Sequence, residues 1–290
     1  MEQYTLIGHP LGHSMSPFIH ERLFAMAGRK AEYTLTDIAP EHLLEKEPFL
    51  RSLQGFNITI PHKMAVIPMV DRLDESARRY DSVNCVANVD GKLVGYNTDC
   101  DGFTMSVKDY PMDGKVLLIG CGGVGRMIAT EALRSGADLT IGIIPQDRKL
   151  VETFIQEAKQ QMPDARVQYA VTAEIHEKFD VIINASPVGM FPKADACPVS
   201  DELIDQADYF FDVIYNPTKT LFLRKALAQG KTAKGGAAML VLQAVRAHEI
   251  WNGDSYTQEQ IDTYSAYTEA YGANYCTCLL YTSPSPRDMR

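Results

Sequence analysis

Residues 115–136 read KVLLIGCGGVGRMIATEALRSG, and this stretch decides the fold of the chain around it. Its first six residues form a compact apolar run typical of a buried strand, and its second half has the spacing of an amphipathic helix. Gly120, Gly122 and Gly125 lie between them and match the pattern G-x-G-x-x-G. A strand, a glycine-rich turn and a helix in this order predict one βα unit of a doubly wound α/β domain.

Each glycine has a separate task in such a turn. The first permits the tight turn, the second lets the backbone approach a pyrophosphate, and the third lets helix and strand pack closely. The N-terminus of the helix adds N–H groups and the positive end of its dipole. A tight turn without a ligand is the alternative, and the flanking strand and helix favour dinucleotide binding over it.

Strand and helix patterns alternate on both sides of this unit. Strands are predicted at 4–7, 31–37, 55–60, 138–144, 180–186 and 209–215. Helices are predicted at 15–28, 41–53, 148–161 and 237–251. The alternation predicts an α/β protein of two domains, the first with βα units around a mostly parallel sheet and the second of the Rossmann type.

The amino-acid composition limits the kinds of partner that this chain is expected to bind. A chain of 290 residues suits two domains, and 46% hydrophobic with 22% charged residues is typical of a globular protein. The sequence contains no apolar run long enough to cross a bilayer, and its start, MEQYTLIGHP, lacks the features of a signal peptide. A net charge of -9 argues against nucleic-acid binding. We therefore expect a small-molecule substrate, no membrane and no nucleic acid.

The cysteines and histidines predict neither disulfides nor a metal. The six cysteines include no CxxC pair, which in a chain without a signal peptide favours reduced thiols in the cytoplasm. The seven histidines are scattered, and no two ligand-type residues have the spacing of a metal site.

The segment CLLYTSPSPRDMR at 278–290 differs abruptly from the helical sequence before it. It resembles the translation of a sequencing-library adapter, so we leave it out of the fold prediction as a non-native tail. A disordered Ser/Pro tail is the alternative.

Polar residues gather where the predicted strands of the first domain end. Ser14 and Ser16 precede a helix and can present hydroxyl and N–H groups to an anion. Taken alone, Ser16 before Pro17 favours a helix cap. Asn57 and Thr59 belong to a strand end.

Lys63 follows that strand end and needs a partner to be more than a solvated lysine. Asp99, in the loop GYNTDCDG, offers one, with an Asx turn or helix cap as its alternative role. Asp101 is the better candidate for a solvated carboxylate. Because the carboxyl ends of strands converge in open α/β sheets, we expect these side chains to meet in one crevice.

Read together, these segments resemble the shikimate dehydrogenase family over essentially all of residues 4–253. Eight motifs occur in the family's order, which is far more specific than any one motif alone. They are GHPLGHSMSPFIH (8–20), GFNITIPHK (55–63), SVNCV (82–86), GYNTDCDGF (95–103), GCGGVGR (120–126), NASPVGM (184–190), DVIYNP (212–217) and GAAMLVLQA (236–244).

The resemblance implies the reversible, NAD(P)H-dependent reduction of 3-dehydroshikimate to shikimate, a step of chorismate and aromatic amino-acid biosynthesis. It implies Lys63 and Asp99 as the catalytic pair. Physical chemistry agrees, because an ammonium group can stabilise and then protonate the oxygen of a reduced carbonyl.

The resemblance also implies substrate contacts from Ser14, Ser16, Asn57, Thr59, Asn84, Tyr215 and Gln243. It implies cofactor contacts from Gly120, Gly122, Gly123, Val124, Gly125, Ser186, Val213 and Gly236.

The cofactor preference stays open at this point between NADP, the usual family cofactor, and NAD. The family's second nucleotide-domain strand often ends in Asn-Arg-Thr, whose arginine holds a 2′-phosphate, and here residues 142–144 are GlyIleIle. Arg148 and Lys149 follow and could replace that arginine, but Asp147 beside them has the opposite charge. Cys100 replaces the glycine usual in the family's N-T-D-G segment.

The resemblance also sets the expected domains: 1–101 for the substrate, 102–236 for the dinucleotide, and 237–276 returning to the first domain, with the active site in the cleft between them. A quinate-preferring enzyme is the nearest alternative function. A non-catalytic binding relative and a methylene-tetrahydrofolate dehydrogenase are more distant ones, and the presence of both Lys63 and Asp99 argues against the former. The chain is expected to be a monomer or a homodimer.

Overall fold

The computed structural model describes residues 1–11 and 14–282. The chain divides into two compact units. Unit 1 comprises Met1–Phe103 and Leu240–Tyr264, and unit 2 comprises Thr104–Met239 with the described residues from Ser265 onward.

Unit 1 contains a six-stranded sheet in the order β2-β1-β3-β5-β6-β4. Its strands are β1 (Glu2–Gly8), β2 (Ala31–Asp37), β3 (Gly55–Ile58), β4 (Arg72–Leu73), β5 (Cys85–Val89) and β6 (Lys92–Tyr96). Strand β1 pairs in parallel with β2 and β3, and β4 pairs in parallel with β6. The pairs β3–β5 and β5–β6 are antiparallel. The three predicted strands of this unit are present, and the sheet is parallel at three of its five pairings.

A hairpin that the sequence analysis missed accounts for the antiparallel part. Asp90 and Gly91 join β5 to β6 with φ of 52° and 81°, the backbone that a type I′ turn requires. Asp-Gly between two short apolar runs is a recognised hairpin signal. No strands were predicted at 85–96, so this signal was not used.

In unit 1 the helix predicted at 15–28 is present, and the one predicted at 41–53 is mostly not α-helical. That range was predicted as one helix, but it begins with the 3-10 turns Pro40–His42 and Leu44–Lys46, and only its end is α-helical. Pro48 lies in the first turn of this short helix, where a missing N–H is tolerated, and it cannot continue a helix from the preceding residues. The helices are α1 (Ser16–Met26), α2 (Glu47–Ser52), α3 (His62–Ala65), α4 (Glu75–Tyr80) and α5 (Thr98–Ser106). Three of them, α3, α4 and α5, were not predicted.

Unit 2 contains a fully parallel sheet in the order β12-β11-β10-β7-β8-β9. Its strands are β7 (Lys115–Ile119), β8 (Asp138–Ile143), β9 (Arg166–Val171), β10 (Val181–Asn184), β11 (Tyr209–Asp212) and β12 (Thr232–Lys234). The chain reverses direction across the sheet between β7 and β10, which is the Rossmann strand order. Ligands of such sheets bind beyond the carboxyl ends of the strands at this point.

The helices of unit 2 connect these strands. They are α6 (Gly123–Arg134), α7 (Arg148–Gln161), α8 (Asp201–Gln206) and α9 (Leu221–Ala228). Helix α7 has the predicted bounds. The elements α8, α9, β9 and β12 were not predicted, although β9 (RVQYAV) alternates polar and apolar residues as a strand does.

Two C-terminal helices, α10 (Gly236–Asn252) and α11 (Gln258–Thr282), each contain residues of both units. In unit 1, Val241 and Val245 of α10 are buried in one cluster with Ile19 and Leu23 of α1. The predicted non-native segment 278–290 is helical over 278–282, and the rest of it lies outside the described residues.

Within residues 1–11 and 14–282, no helix is long and apolar enough to span a membrane. The same residues contain no cluster of three or more histidine, cysteine, aspartate or glutamate side chains that could hold a metal ion.

Candidate active site

A lysine–carboxylate pair lies at the centre of the polar residues of unit 1. The Nζ atom of Lys63 is 2.6 Å from Oδ2 of Asp99, and the two side chains are 26% and 19% exposed. Lys63 belongs to the single turn α3, whose backbone is held to the sheet because the Lys63 carbonyl accepts from the Val83 amide at 2.8 Å. A partly buried ion pair that still reaches solvent can contact a ligand.

The start of helix α5 leaves the Asp99 carboxylate free for this pairing. Oδ1 of Asn97 accepts the Asp99 amide at 3.1 Å, and Nδ2 of Asn97 donates to the Ser82 carbonyl at 3.1 Å. Asn97 therefore satisfies the helix start, as an N-cap side chain does. The Asp99 side chain pairs with Lys63, and a helix-start role is filled by Asn97.

Three amide side chains form a connected cluster beside the pair. Asn84 Oδ1 accepts the Thr98 amide at 2.7 Å, and Asn84 Nδ2 lies 3.1 Å from the Thr98 hydroxyl. The same hydroxyl lies 3.3 Å from Oε1 of Gln243, whose Nε2 donates to the Leu240 carbonyl at 2.9 Å. Asn57 joins the cluster through Nδ2, which donates to the Asn84 carbonyl at 3.2 Å. The structure thus brings the predicted residues Asn57, Asn84 and Gln243 together.

Two members of this cluster were missed by the sequence analysis. Thr98 links two amides, and Tyr33 donates its hydroxyl to Oδ1 of Asn57 at 2.7 Å. Tyr33 is an inward-facing residue of β2 with no motif around it, so nothing in the sequence separates it from an ordinary core tyrosine. Thr98 does belong to the N-T-D segment, and its position next to Asp99 was the available signal.

The two predicted anion-binding serines lie at the start of α1. The helix begins at Ser16, its N-cap position is Met15, and no side chain caps it. Ser14 Oγ accepts the Ser16 amide at 3.1 Å. The prediction that Ser16 favours a cap when taken alone is therefore wrong, because its hydroxyl is not used by the helix start.

Thr59 packs against the end of β1. A Cβ atom added to Gly8 would lie 2.4 Å from Cγ2 of Thr59, so glycine at this position leaves room for the Thr59 side chain. The Thr59 amide donates to the Ile7 carbonyl at 2.9 Å, which fixes this strand end.

Asp101, predicted to be solvated, is instead paired. Its Oδ2 lies 3.4 Å from Nε of Arg246 on α10. Burial raises the pKa of the Asp101 carboxyl, and the charge of Arg246 opposes that shift. Asp99 and Asp101 therefore have different cationic partners.

The glycine-rich turn of unit 2 has the geometry predicted for it. Gly120 has φ of +93°, and a Cβ atom on Gly125 would lie 2.5 Å from the Gly120 carbonyl oxygen. An added Cβ on Gly122 or Gly123 would meet no atom within 4 Å. The first and third glycines are thus required by the fold, whereas the open face of Gly122 and Gly123 and the N-terminus of α6, which has no side-chain cap, fit a bound pyrophosphate.

A second polar group lies at the carboxyl ends of β10 and β11. Asn184 Nδ2 donates to Asp212 Oδ1 at 3.1 Å, and Asn184 Oδ1 accepts the Ser186 hydroxyl at 2.7 Å. Burial raises the pKa of Asp212 to about 6, and the Thr220 hydroxyl, which donates to it at 2.7 Å, opposes the shift. This network fixes the carboxyl end of β11, and Val213 is the next residue along the chain.

Three further predicted residues of unit 2 are Gly236, Val124 and Tyr215. A Cβ atom on Gly236 would lie 2.2 Å from the Val213 carbonyl oxygen, so Gly236 is required for close packing of α10 on the chain after β11. Val124 and Tyr215 are 37% and 42% exposed, so both side chains are accessible to a ligand.

The end of β8, where the family's arginine is missing, presents an apolar surface. Gly142 packs against Ile119 and Thr172, and Ile144 is 58% exposed. A 3-10 turn over Pro145–Asp147 follows, and Arg148 begins α7.

Two features define the class of this protein as a two-unit α/β oxidoreductase. They are the Rossmann-type sheet with its open glycine turn and the lysine–carboxylate pair among amide side chains.

Comparison with known proteins agrees with this class. The family model for the shikimate dehydrogenase substrate binding domain matches residues 6–86. Shikimate dehydrogenase (NADP(+)) of Geobacillus kaustophilus is 38% identical over 259 residues, which cover 86% of this chain and 92% of the relative. The enzyme of the same name from Caldanaerobacter subterraneus subsp. tengcongensis is 36% identical over 267 residues, covering 88% of this chain and 93% of the relative.

A solved structure is similar over the same extent. Shikimate 5-dehydrogenase from Thermus thermophilus, in complex with NADP(H) and shikimate, superposes with a TM-score of 0.79 at 28% identity, covering 92% of this chain and 100% of that chain. The chain described here belongs to the shikimate dehydrogenase family. The predicted family, fold class and oxidoreductase class are confirmed.

Proposed function

We propose that this chain catalyses the reversible NADP-dependent reduction of 3-dehydroshikimate to shikimate, with unit 1 binding the acid and unit 2 binding the cofactor. The observation that carries the proposal is the 2.6 Å contact between Lys63 and Asp99 beside three amide side chains. The names and bound ligands of the relatives support it: NADP(+) for the two bacterial enzymes, and NADP(H) with shikimate for the Thermus enzyme.

In the proposed reaction Lys63 is the acid. Its ammonium group donates a hydrogen bond to the ring carbonyl oxygen of the substrate and transfers a proton to that oxygen as the carbonyl becomes an alcohol. In the reverse direction the neutral amine takes the proton back. Asp99 holds the ammonium in position through Oδ2, and its other oxygen can accept a hydrogen bond from a neighbouring ring hydroxyl. When bound, the nicotinamide cofactor supplies the hydride.

The substrate's other groups have partners in unit 1. We assign its carboxylate to the hydroxyls of Ser14 and Ser16, since an anion is favoured at the start of an α-helix. We assign its ring hydroxyls to side chains that the structure brings close to one another or to a strand end, and we propose Tyr215 as a further substrate contact. The ring-binding residues are Asn57, Thr59, Asn84, Asp99 and Gln243.

Unit 2 fits a dinucleotide. The N–H groups at the start of α6 would receive the pyrophosphate, over glycines with no protein atom above them. The exposed Arg148 and Lys149 after β8 would compensate the charge of a 2′-phosphate in place of the missing family arginine. The proposed cofactor residues are Gly120, Gly122, Gly123, Val124, Gly125, Ser186, Val213 and Gly236. A cytosolic protein, monomeric or homodimeric, is part of the same proposal.

Initial rates test the function directly. The chain is assayed for oxidation of shikimate and of quinate, each with NADP and with NAD. Turnover of shikimate with NADP at a higher kcat/KM than the other three combinations supports the proposal. Faster quinate turnover would reassign the substrate, and a preference for NAD would exclude Arg148 and Lys149 as 2′-phosphate ligands. A folded protein that oxidises neither acid with either cofactor would leave a binding relative as the better description.

A further inference from the structure

The amide of Asn57 has only one possible orientation. One end lies 3.2 Å from the Asn84 carbonyl oxygen, which can only accept, so that end is the NH2 group. The other end, Oδ1, accepts the Tyr33 hydroxyl at 2.7 Å. Nδ2 has two hydrogens and uses one on the Asn84 carbonyl. The second N–H of Asn57 is therefore the group that it can offer to a substrate.

The other two amides are fixed by the same reasoning. The Thr98 amide can only donate, so the end of Asn84 facing it at 2.7 Å is Oδ1. The Leu240 carbonyl can only accept, so the end of Gln243 facing it at 2.9 Å is Nε2. Each of these side chains also has its oxygen directed toward Thr98. All three amides thus have N–H hydrogens left to donate, and among the proposed ring-binding side chains the Asp99 carboxylate is the one group that can only accept.

Tyr33 is itself held rigidly. Its ring is 4% exposed and stacks on His20, with centroids 4.2 Å apart and planes 5° apart. Nδ1 of His20 lies 3.1 Å from Nε2 of His248, and Nδ1 of His248 lies 3.0 Å from the Tyr256 hydroxyl, which donates to the Leu23 carbonyl. Since Tyr256 donates to that carbonyl, it accepts from His248, and His248 in turn accepts from His20. This chain assigns one proton to Nδ1 of each histidine.

The surroundings also keep the Tyr33 hydroxyl protonated. Burial raises the pKa of Tyr33 well above its usual value, and a hydrogen bond with the Ser16 side chain opposes the shift only in part. The hydroxyl therefore remains a donor to Asn57 throughout the pH range of an enzyme assay.

We propose that Tyr33 is a positioning residue that acts through Asn57: its hydroxyl fixes the amide so that Asn57 meets the substrate as a hydrogen-bond donor. This inference rests on the proposed function. It makes the three amides hydrogen-bond donors to substrate oxygens, and it assigns the orientation of one of them, Asn57, in part to a buried tyrosine that does not touch the reacting atoms.

The chain offers a matched control for removing this hydroxyl. Tyr4 is also a buried tyrosine of unit 1 that donates to an asparagine oxygen, Oδ1 of Asn252, at 2.8 Å, and Asn252 has no role in the proposed site. Tyr33→Phe and Tyr4→Phe each remove one such bond, and Tyr33→Phe also removes the contact with the Ser16 side chain, which the double-mutant cycle below separates from the contact with Asn57. We expect Tyr33→Phe to raise the KM for shikimate about three- to tenfold, the effect of one hydrogen bond, with the KM for NADP unchanged. Tyr4→Phe is expected to leave both KM values unchanged.

A double-mutant cycle separates positioning from a structural effect. Asn57→Ala is expected to raise the KM for shikimate, and adding Tyr33→Phe to it is expected to raise it no further, because the residue through which Tyr33 acts is gone. Asn57→Asp provides a second test of the donor role of Asn57, in which Tyr33 is unchanged. It keeps the shape and still accepts from Tyr33 but offers no N–H, so its KM is expected to rise at least as much as that of Asn57→Ala.

The outcomes are distinguishable. If wild-type protein oxidises shikimate but Tyr33→Phe behaves like Tyr4→Phe, the Tyr33 inference is wrong and the proposed function stands. The same holds if Tyr33→Phe raises the KM equally with and without Asn57, or if Asn57→Asp keeps the wild-type KM. Wild-type protein without shikimate turnover would overturn the proposed function and, with it, this inference.

Discussion

The ammonium nitrogen of Lys63 lies 2.6 Å from Oδ2 of Asp99, although the two residues are 36 positions apart in the sequence. A one-turn helix carries the lysine, and the first turn of a longer helix carries the aspartate. Neither local element needs the other for its own formation. The pairing therefore reflects the arrangement of the sheet to which both helices are attached, and it predicts a shared catalytic task.

Replacement of Lys63 tests that task. We expect Lys63→Ala to lower kcat for shikimate oxidation by about 10² to 10⁴, the usual contribution of a general acid–base residue. The fold is expected to stay intact, since the side chain is partly exposed and its only described partner is Asp99. Steady-state rates and circular dichroism are the measurements. Lys92→Ala, on the exposed hairpin of the same unit, is the control and should retain wild-type kcat.

The two neighbouring aspartates provide a paired comparison. Asp99→Asn removes the charge that holds Lys63 and the acceptor for substrate hydroxyls, so kcat/KM is expected to fall by about 10² or more. Asp101→Asn weakens the contact with Arg246, which is 3.4 Å long and partly exposed, and should change kcat/KM by less than about threefold. Equal losses in the two variants would contradict the assignment of separate roles.

Much of the fold was predictable because it follows from local patterns. The strand, glycine turn and helix at 115–136 formed as predicted, and α7 has its predicted bounds because its apolar residues recur at helical spacing. The helix at 41–53 was not predictable from periodicity alone, since the pattern continues through Pro48 while the backbone cannot. The hairpin at Asp90 and Gly91 was predictable from turn chemistry and was overlooked.

The site was predictable only where a motif carried it. Lys63, Asp99 and the amides stand in recognisable segments, and the structure places them together. Tyr33 and Arg246 stand in none. They reach the site because β2 and α10 pack beside it, and sequence spacing does not encode such contacts between distant elements. The paired state of Asp101 was missed for the same reason, because its partner follows it by more than 140 positions.

The glycine turn allows the cofactor role to be separated from the structural role. Gly122→Ala places a methyl group in space that no protein atom occupies, so stability is expected to be unchanged while the KM for NADP rises about tenfold or more. Gly125→Ala would put Cβ 2.5 Å from the Gly120 carbonyl oxygen and is expected to destabilise the protein by about 1–3 kcal/mol. Thermal denaturation and cofactor titration of both variants are the measurements. A Gly122→Ala enzyme with wild-type KM for NADP would remove that glycine from the binding site.

The buried histidines beneath the site predict a pH dependence of stability. Burial lowers the pKa of His20 well below 6.5 and that of His248 to about 4, so both are neutral in the folded protein under ordinary conditions. In the unfolded chain they titrate near pH 6.5. Between about pH 6.5 and 4 the unfolded state therefore binds protons that the folded state does not, and the free energy of unfolding falls as the pH is lowered through this range.

The size and the origin of this loss can both be measured. Each histidine that stays neutral in the folded protein lowers the free energy of unfolding by about 1.4 kcal/mol for each pH unit below pH 6.5. The single tryptophan, Trp251, lies 5.3 Å from His20 between ring centroids and belongs to unit 1, so its fluorescence follows the unfolding of that unit in urea. His20→Phe keeps a flat ring against Tyr33 but cannot take up a proton. We expect its free energy of unfolding to fall less steeply with acidification than that of the wild type, by about 1.4 kcal/mol per pH unit. Identical slopes would mean that His20 takes up its proton in the folded state as it does in the unfolded state, which would contradict a lowered pKa.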